Sequence, residues 1–140
     1  MTKRVIIPGT RTFDNYEIMC EVLDKVLPTL GDDIEIVSGH AEGADKLGER
    51  YAKEHNLKCA VFPADWRTHG RKAGPIRNSQ MIKYASEKDP YVIAFWDGMS
   101  HGTLDTLVKA ERKAIGVLTI IYDGNQEISR IVEYNYKDEL

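Results

Sequence analysis

The chain has 140 residues, 42% of them hydrophobic and 29% charged, and a formal net charge of -3. That length supports a single domain, spanning residues 1–140, whose core needs neither a structural metal nor a disulfide. The negative balance removes any overall electrostatic case for DNA, RNA or an anionic membrane as partner, although a local basic patch is a separate matter.

In chain order, the first apolar run, residues 4–7, predicts a strand that enters Pro8-Gly9-Thr10-Arg11. Asp14-Asn15-Tyr16-Glu17 then resembles a capping box, and Met19, Val22, Leu23, Val26, Leu27 and Leu30 recur at helical spacing. Pro28 and Gly31 mark the region where that helix is expected to stop. Residues 34–37 predict a second strand, followed by Ser38-Gly39-His40-Ala41-Glu42-Gly43-Ala44-Asp45. The helix from about 43 to 55 buries Ala44, Leu47, Tyr51 and Ala52. Residues 58–62 predict a third strand. The stretch 63–74, with Pro63, Gly70 and Gly74 and no periodicity, reads as a long loop. Pro75 suits the first turn of a third helix carrying Met81, Ile82 and Ala85 inward.

Residues 91–95 predict a fourth strand, which runs into Asp97-Gly98-Met99-Ser100-His101-Gly102-Thr103. A helix over about 103–114 follows and packs Leu104, Leu107 and Val108. Residues 117–122 predict a fifth strand, and Asp123-Gly124-Asn125 a turn. Beyond it, Val132, Tyr134 and Tyr136 alternate as in an edge strand, while Ile128, Ile131 and Val132 fit a helical turn equally well. The alternation predicts a three-layer α/β fold: a parallel sheet of about five strands, order 3-2-1-4-5 by analogy with Rossmann-like sheets, with helices on both faces.

Cys20, in a helical pattern, and Cys59, opening a strand pattern, read as small core hydrophobes. With no CxxC, HExxH or clustered His/Cys spacing, no metal and no cofactor are expected. No apolar run approaches the roughly 18 residues of a membrane helix, no signal-peptide core is read, and the expected location is cytoplasmic. Lys137-Asp138-Glu139-Leu140 spells the retention tetrapeptide of the endoplasmic reticulum, a coincidence in a chain without an entry signal.

Three glycine-bearing loops thus follow three predicted parallel strands, and all emerge on one rim. There glycine permits close backbone approach, and helix starts offer unpaired N–H groups to an anion. The repetition points to a small molecule bearing phosphate. Candidate binding residues are Gly9, Thr10, Arg11, Ser38, Gly39, Gly43, Asp45, Trp66, Gly74, Arg77, Asn78, Gly98, Ser100, Gly102 and Thr103. Each has a plainer alternative. Asp45 suits the first turn of any helix, Thr103 is an ordinary N-cap, and Trp66 either stacks on a base or simply packs. His101 is expected to face solvent. Arg77 is more specific, because a cation in a first helical turn opposes the helix dipole and calls for an anionic partner. Arg11 is a second cation of that kind.

Gly9-Thr10-Arg11-Thr12-Phe13, Val37 through Asp45, Ala64-Asp65-Trp66, Ala73 through Met81 and Gly102-Thr103 together resemble the YspA-like group of the SLOG superfamily over about residues 5–117. The superfamily includes the LOG phosphoribohydrolases and the DNA-uptake protein DprA, and YspA-like members occur in bacteria and phages. The resemblance implies a Rossmann-like fold binding a nucleotide or nucleotide derivative, ADP-ribose-like or purine, at the strand-end rim. LOG kinship implies a possible homodimer, and DprA kinship makes single-stranded DNA an alternative ligand that the net charge disfavours. The LOG motif PGGxGTxxE ends in a catalytic glutamate, and its position here is Thr106. Asp105 lies one residue early, a rotation of about 100° on a helix. Phosphate binding thus carries over and LOG-type hydrolysis does not; nucleotide N-glycosidic hydrolysis is kept as the alternative activity, with Asp45 and Asp105 as candidate catalytic residues.

Overall fold

The computed structural model describes residues 1–135. The retention-like tetrapeptide and Tyr136 lie outside the described residues. Six strands, β1 (Lys3–Ile6), β2 (Ile34–Ser38), β3 (Lys58–Val61), β4 (Asp89–Trp96), β5 (Val117–Tyr122) and β6 (Ile128–Tyr134), form one sheet in the order β3-β2-β1-β4-β5-β6. The first five are parallel in the expected order. The sixth is antiparallel to β5 and resolves the ambiguous tail as a strand. Its direction follows from a connection too short for a crossover. Asp123 closes that turn by accepting hydrogen bonds from the N–H groups of Asn125 (2.9 Å) and Glu127 (3.1 Å) at Oδ1.

Alternate strand residues feed opposite layers, as the two-residue strand period requires. Val5, Ile7, Ile36, Ile93 and Phe95 pack against α1 (Tyr16–Leu30) and α2 (Ala44–Glu54), through Met19, Leu23, Tyr51 and Ala52. Ile6, Val37, Val92 and Ala94 face the other way, onto α4 (Ala73–Ser86) and α5 (His101–Arg112), through Met81, Ile82, Ala85 and Ala110. The central strands are therefore apolar on both faces, which is the signature of a buried parallel sheet.

Several local expectations are corrected. The cap of α1 is Asn15, whose Oδ1 accepts from the N–H of Ile18 at 3.1 Å; Asp14 instead donates its backbone N–H to Gln126 Oε1 at 2.8 Å. The end of α1 falls where expected, at Leu30 with Gly31 as C-cap and Pro28 inside the last turn. The stretch 63–74 is not a loop. It holds a short helix α3 (Trp66–His69), a 3-10 turn (Gly70–Lys72) and the start of α4, two residues before Pro75. Asp65 starts α3 by accepting from the N–H of Thr68 at 3.1 Å. Pro75 is tolerated because the first helical N–H groups have no partner inside the helix. On α5, Leu104 is exposed, and Thr103, Thr106 and Ala110 take the buried positions. Cys59 is also exposed rather than in the core, because β3 is an edge strand; it and Cys20 are free.

Candidate functional site

The loops after β1, β2 and β4 and the start of α4 enclose a cleft of about 420 Å³ at the carboxyl ends of the strands. This is the crevice in which open parallel sheets place ligands, and its volume is in the range that holds a small organic molecule.

The first loop forms the floor and is pinned to its neighbours. Gly9 bridges to Phe95 of β4, and Thr10 donates its N–H to the Phe95 carbonyl at 3.0 Å. A Cβ on Gly9 would fall 2.3 Å from the Phe95 oxygen and 2.4 Å from Ala44 Cβ, so glycine is what allows the first loop to touch both β4 and α2. Thr10 Oγ1 accepts from the N–H of Asp97 at 3.0 Å, joining the first loop to the fourth-strand loop.

The second loop turns inward. Ser38 is buried and donates to Glu49 Oε2 at 2.6 Å while accepting from the N–H of His40 at 3.0 Å. At the start of α2, the N–H of Ala44 meets the Thr10 carbonyl at 3.4 Å and the N–H of Ala41 donates to Asp45 Oδ2 at 3.1 Å. The loop's Ala41 donor and the first donor of α2 are thus taken up within the protein. Ser38, Gly39, Gly43 and Gly98 do not line the cleft. Gly39 does line a smaller adjoining hollow of about 330 Å³ that shares Arg11, Ala41, Trp66 and Arg77 with the main cleft.

Arg77 is the hinge of the polar wall. It is buried, donates from Nη1 to the Gly39 carbonyl and from Nε to Asn78 Oδ1 at 2.8 Å, and so uses neutral acceptors. Asn78 in turn donates to Asp105 Oδ2 at 3.0 Å and to the Gly102 carbonyl at 3.3 Å, tying α4 to α5. Burial pulls the Arg77 guanidinium below its ordinary pKa, the nearby Asp45 carboxyl opposes that, and Arg11 adds to it. Arg11 stands on the rim with its guanidinium 5.6 Å from the centroid of the half-exposed Trp66 ring. Among the described residues, neither arginine makes an ion pair with a carboxylate.

Opposed to this wall is the start of α5. Asp97 organises it by accepting from the N–H groups of Met99 and Ser100, both at 2.8 Å, at Oδ1. Burial pushes the Asp97 carboxyl up, but these bonds and the Thr10 contact outweigh it and hold the group below its usual value. The Ser100 N-cap makes no side-chain bond to the helix backbone, and Thr103 reaches only the Ser100 hydroxyl at 3.5 Å. The first N–H groups of α5 therefore stay open, and the cleft carries the positive end of this helix. Gly102 stands beside them with no atom within 4 Å of the place a Cβ would occupy.

Gly9, Thr10, Arg11, Asp45, Trp66, Gly74, Arg77, Asn78, Ser100, Gly102 and Thr103 of the expected set line the cleft. His101, expected to face solvent, lines it as well as being exposed. Thr106 is buried in the cleft wall, so the LOG glutamate position does point at the site, with a hydroxyl in place of the carboxylate. Helical phase from Gly102 was the signal for it. Asp105 is committed to Asn78 and to Lys109 Nζ at 2.7 Å.

Asp45 is the buried carboxyl of the site. Burial raises it to about 6, against the opposing Ala41 N–H and Arg77. The folded protein therefore holds a proton that the unfolded chain has released between about pH 4 and pH 6. Stability supplied by that proton is complete below this window and lost as pH rises through it. Thermal unfolding across the window is expected to show that decline, and Asp45→Asn to flatten it; an unchanged slope would assign it to other groups.

A mostly parallel sheet with helices on both faces and a cleft at the strand ends defines an α/β domain of the Rossmann-like class. Within that class the chain belongs to the YspA, cpYpsA-related SLOG family, whose model matches residues 3–69. It is also similar to the Gene 61 protein of Mycobacterium phage D29, with 30% identity over 121 residues, covering 83% of this chain and 94% of the phage protein. No helix among the described residues is long and apolar enough to cross a membrane.

Proposed function

We propose that this domain binds a nucleotide or nucleotide derivative, ADP-ribose-like or purine, in the strand-end cleft, as a sensor or sequestering protein. The observation that carries this is the meeting, in one cleft, of two arginines that, among the described residues, form no ion pair with a carboxylate and the open start of α5. A buried cation held by neutral acceptors is costly, and an incoming phosphate offsets that cost at Arg77 while accepting from the α5 N–H groups. The Ser100 and Thr103 hydroxyls add short-range donors. Trp66 offers a flat face to a base and Asp45 would select a sugar hydroxyl, while Asn78, committed to Arg77, Gly102 and Asp105, holds the wall in place.

The test is thermal unfolding against mononucleotides, ADP-ribose, NAD, cyclic nucleotides and a DNA oligomer. A ligand at 100 times its Kd adds about 2.7 kcal/mol, a shift on the order of 5–10 °C for a domain of this size. No shift with any nucleotide would sink the reading, and a shift with the oligomer alone would favour the single-stranded DNA alternative.

Gly102→Asp separates binding from folding. A carboxylate in the first turn of α5 suits the helix dipole, and the open space admits it, so the free protein should gain about 0.3–1 kcal/mol. The same charge repels phosphate, so the ligand-induced shift should vanish.

N-glycosidic hydrolysis remains the second reading, favoured by Asp45 alone. Its carboxyl, raised to about 6, faces the cleft, where it would stabilise a developing ribosyl cation when ionised. Release of ribose 5-phosphate from nucleoside monophosphates, lost in Asp45→Asn, is its signature; nucleotide bound without turnover removes it.

A further inference from the structure

The strand-end cleft continues past the second loop into the adjoining hollow of about 330 Å³, and Arg11, Ala41, Trp66 and Arg77 border both spaces. The start of α5 opens only onto the cleft, whereas Gly39, His40, Glu42, Pro63 and Ala64 line only the hollow. Gly39 makes the junction possible, because a Cβ there would lie 2.7 Å from Arg77 Nη1 and 2.7 Å from Asp45 Oδ2. Two guanidinium groups thus stand at the boundary, and the Arg11 charge acts against that of Arg77. Two cations that repel each other call for more than one negative charge between them. Past this boundary the chemistry changes. Apart from the shared arginines, no lysine or arginine among the described residues lines the hollow. His40, whose Nδ1 lies 2.9 Å from Glu49 Oε2, and Glu42, whose Oε1 accepts from Lys46 Nζ at 2.7 Å, bring polar groups beside the apolar Pro63 and Ala64. A space of that kind suits a neutral group with a C–H face and hydroxyls.

We propose that the hollow is a sugar subsite and that the ligand is a nucleoside diphosphate sugar. Its nucleoside lies in the strand-end cleft, its diphosphate spans Arg77 and Arg11, and its terminal sugar enters the hollow. This rests on the nucleotide reading of the cleft and narrows it to a ligand with two ends. The phosphate nearer the nucleoside takes Arg77 and the α5 N–H groups, and the second takes Arg11. A monophosphate leaves Arg11 unserved. A triphosphate carries a third anion into a space with no further arginine or lysine to meet it.

The experiment is calorimetric titration of the intact chain with AMP, ADP, ATP and ADP-ribose, and with the matching uridine series ending in UDP-glucose. In the series whose base is accepted, affinity should rise about 10-fold from monophosphate to diphosphate, as for one hydrogen bond to a charged group. The terminal sugar should add about another 10-fold, as for two neutral hydrogen bonds, and the triphosphate should bind no better than the diphosphate. Ala64→Phe fills the hollow from a position that does not line the cleft, so the gain from the sugar should vanish while mononucleotide affinity stays. Thermal unfolding checks that this variant folds. Glu42→Ala, which gives up only an exposed ion pair with Lys46, is the second variant and should weaken the sugar diphosphate several-fold but not the mononucleotide. Equal affinity for mononucleotide and sugar diphosphate in both series would overturn the subsite and leave the nucleotide reading standing. So would a folded Ala64→Phe protein that keeps the gain from the sugar, or one that loses both ligands alike. Silence from every nucleotide removes that reading and this inference with it.

Discussion

Arg77→Ala is expected to weaken ligand binding by about 10- to 100-fold, the equivalent of about 1.5–3 kcal/mol for a hydrogen bond to a charged group. Sequence alone suggests a change confined to the ligand. The structure adds a second effect, because the Arg77 guanidinium also serves the Gly39 carbonyl and Asn78 Oδ1. Its removal leaves both acceptors unserved in the wall between α4 and the second loop, at a cost of about 1–3 kcal/mol to the free fold. It also strips a neighbouring positive charge from Asp45, whose carboxyl then moves further up. Calorimetric titration gives the affinity and thermal unfolding the stability. Arg77→Lys is the discriminating companion: it keeps the charge but not the planar fork, so it should recover only part of either loss. Undiminished affinity in Arg77→Ala would take this residue out of the site.

Gly43→Ala is expected to be the most destabilising single methyl that the strand-end loops can receive. Gly43 has φ +85°, in the left-handed region, and an added Cβ would lie 2.3 Å from the Thr10 carbonyl oxygen and 2.5 Å from that of Arg11. Both obstacles are backbone and neither can rotate away. Positive φ and overpacking together should cost about 3 kcal/mol or more, which for a domain of this size lowers Tm by roughly 10 °C. The added methyl also pushes the first loop away from α2, so nucleotide affinity should fall although Gly43 does not line the cleft. Comparing Gly43→Ala with Gly102→Asp therefore distinguishes a glycine that holds the loops together from one that leaves space for a ligand. A stable Gly43→Ala protein would mean that the two loops are not in the contact described.

The central strands were legible in the chain because their cause is local. Val5 to Ile7 and Val92 to Phe95 are apolar runs buried on both faces, and Ile34 to Val37 is one interrupted only by Glu35; no neighbour has to be known to recognise them. The helical stripes of α1 and α4 are local in the same sense. Arg77 was singled out on a first-turn argument that does not hold, since α4 starts at Ala73 and places Arg77 in its second turn; what marks it in the fold is its burial against neutral acceptors.

Other features depended on contacts distant in sequence. The stretch 63–74 reads as irregular from its glycines and prolines, yet it folds as a short helix whose Trp66 ring lies beside Gly74 on the start of α4. β6 satisfied strand and helix patterns equally until β5 supplied the partner that decided it. The glycine loops after β2 and β4 look alike as sequence and end up differently used. The second turns the N–H of Ala44 onto Thr10 and that of Ala41 onto Asp45, and the fourth brings the start of α5 to the cleft. Chain order and periodicity determined which segments are strands and helices, since those depend on each residue's own neighbours. Which polar groups are already satisfied, and which remain free for a ligand, was decided only when segments dozens of residues apart came together, because a hydrogen bond belongs to both of its partners.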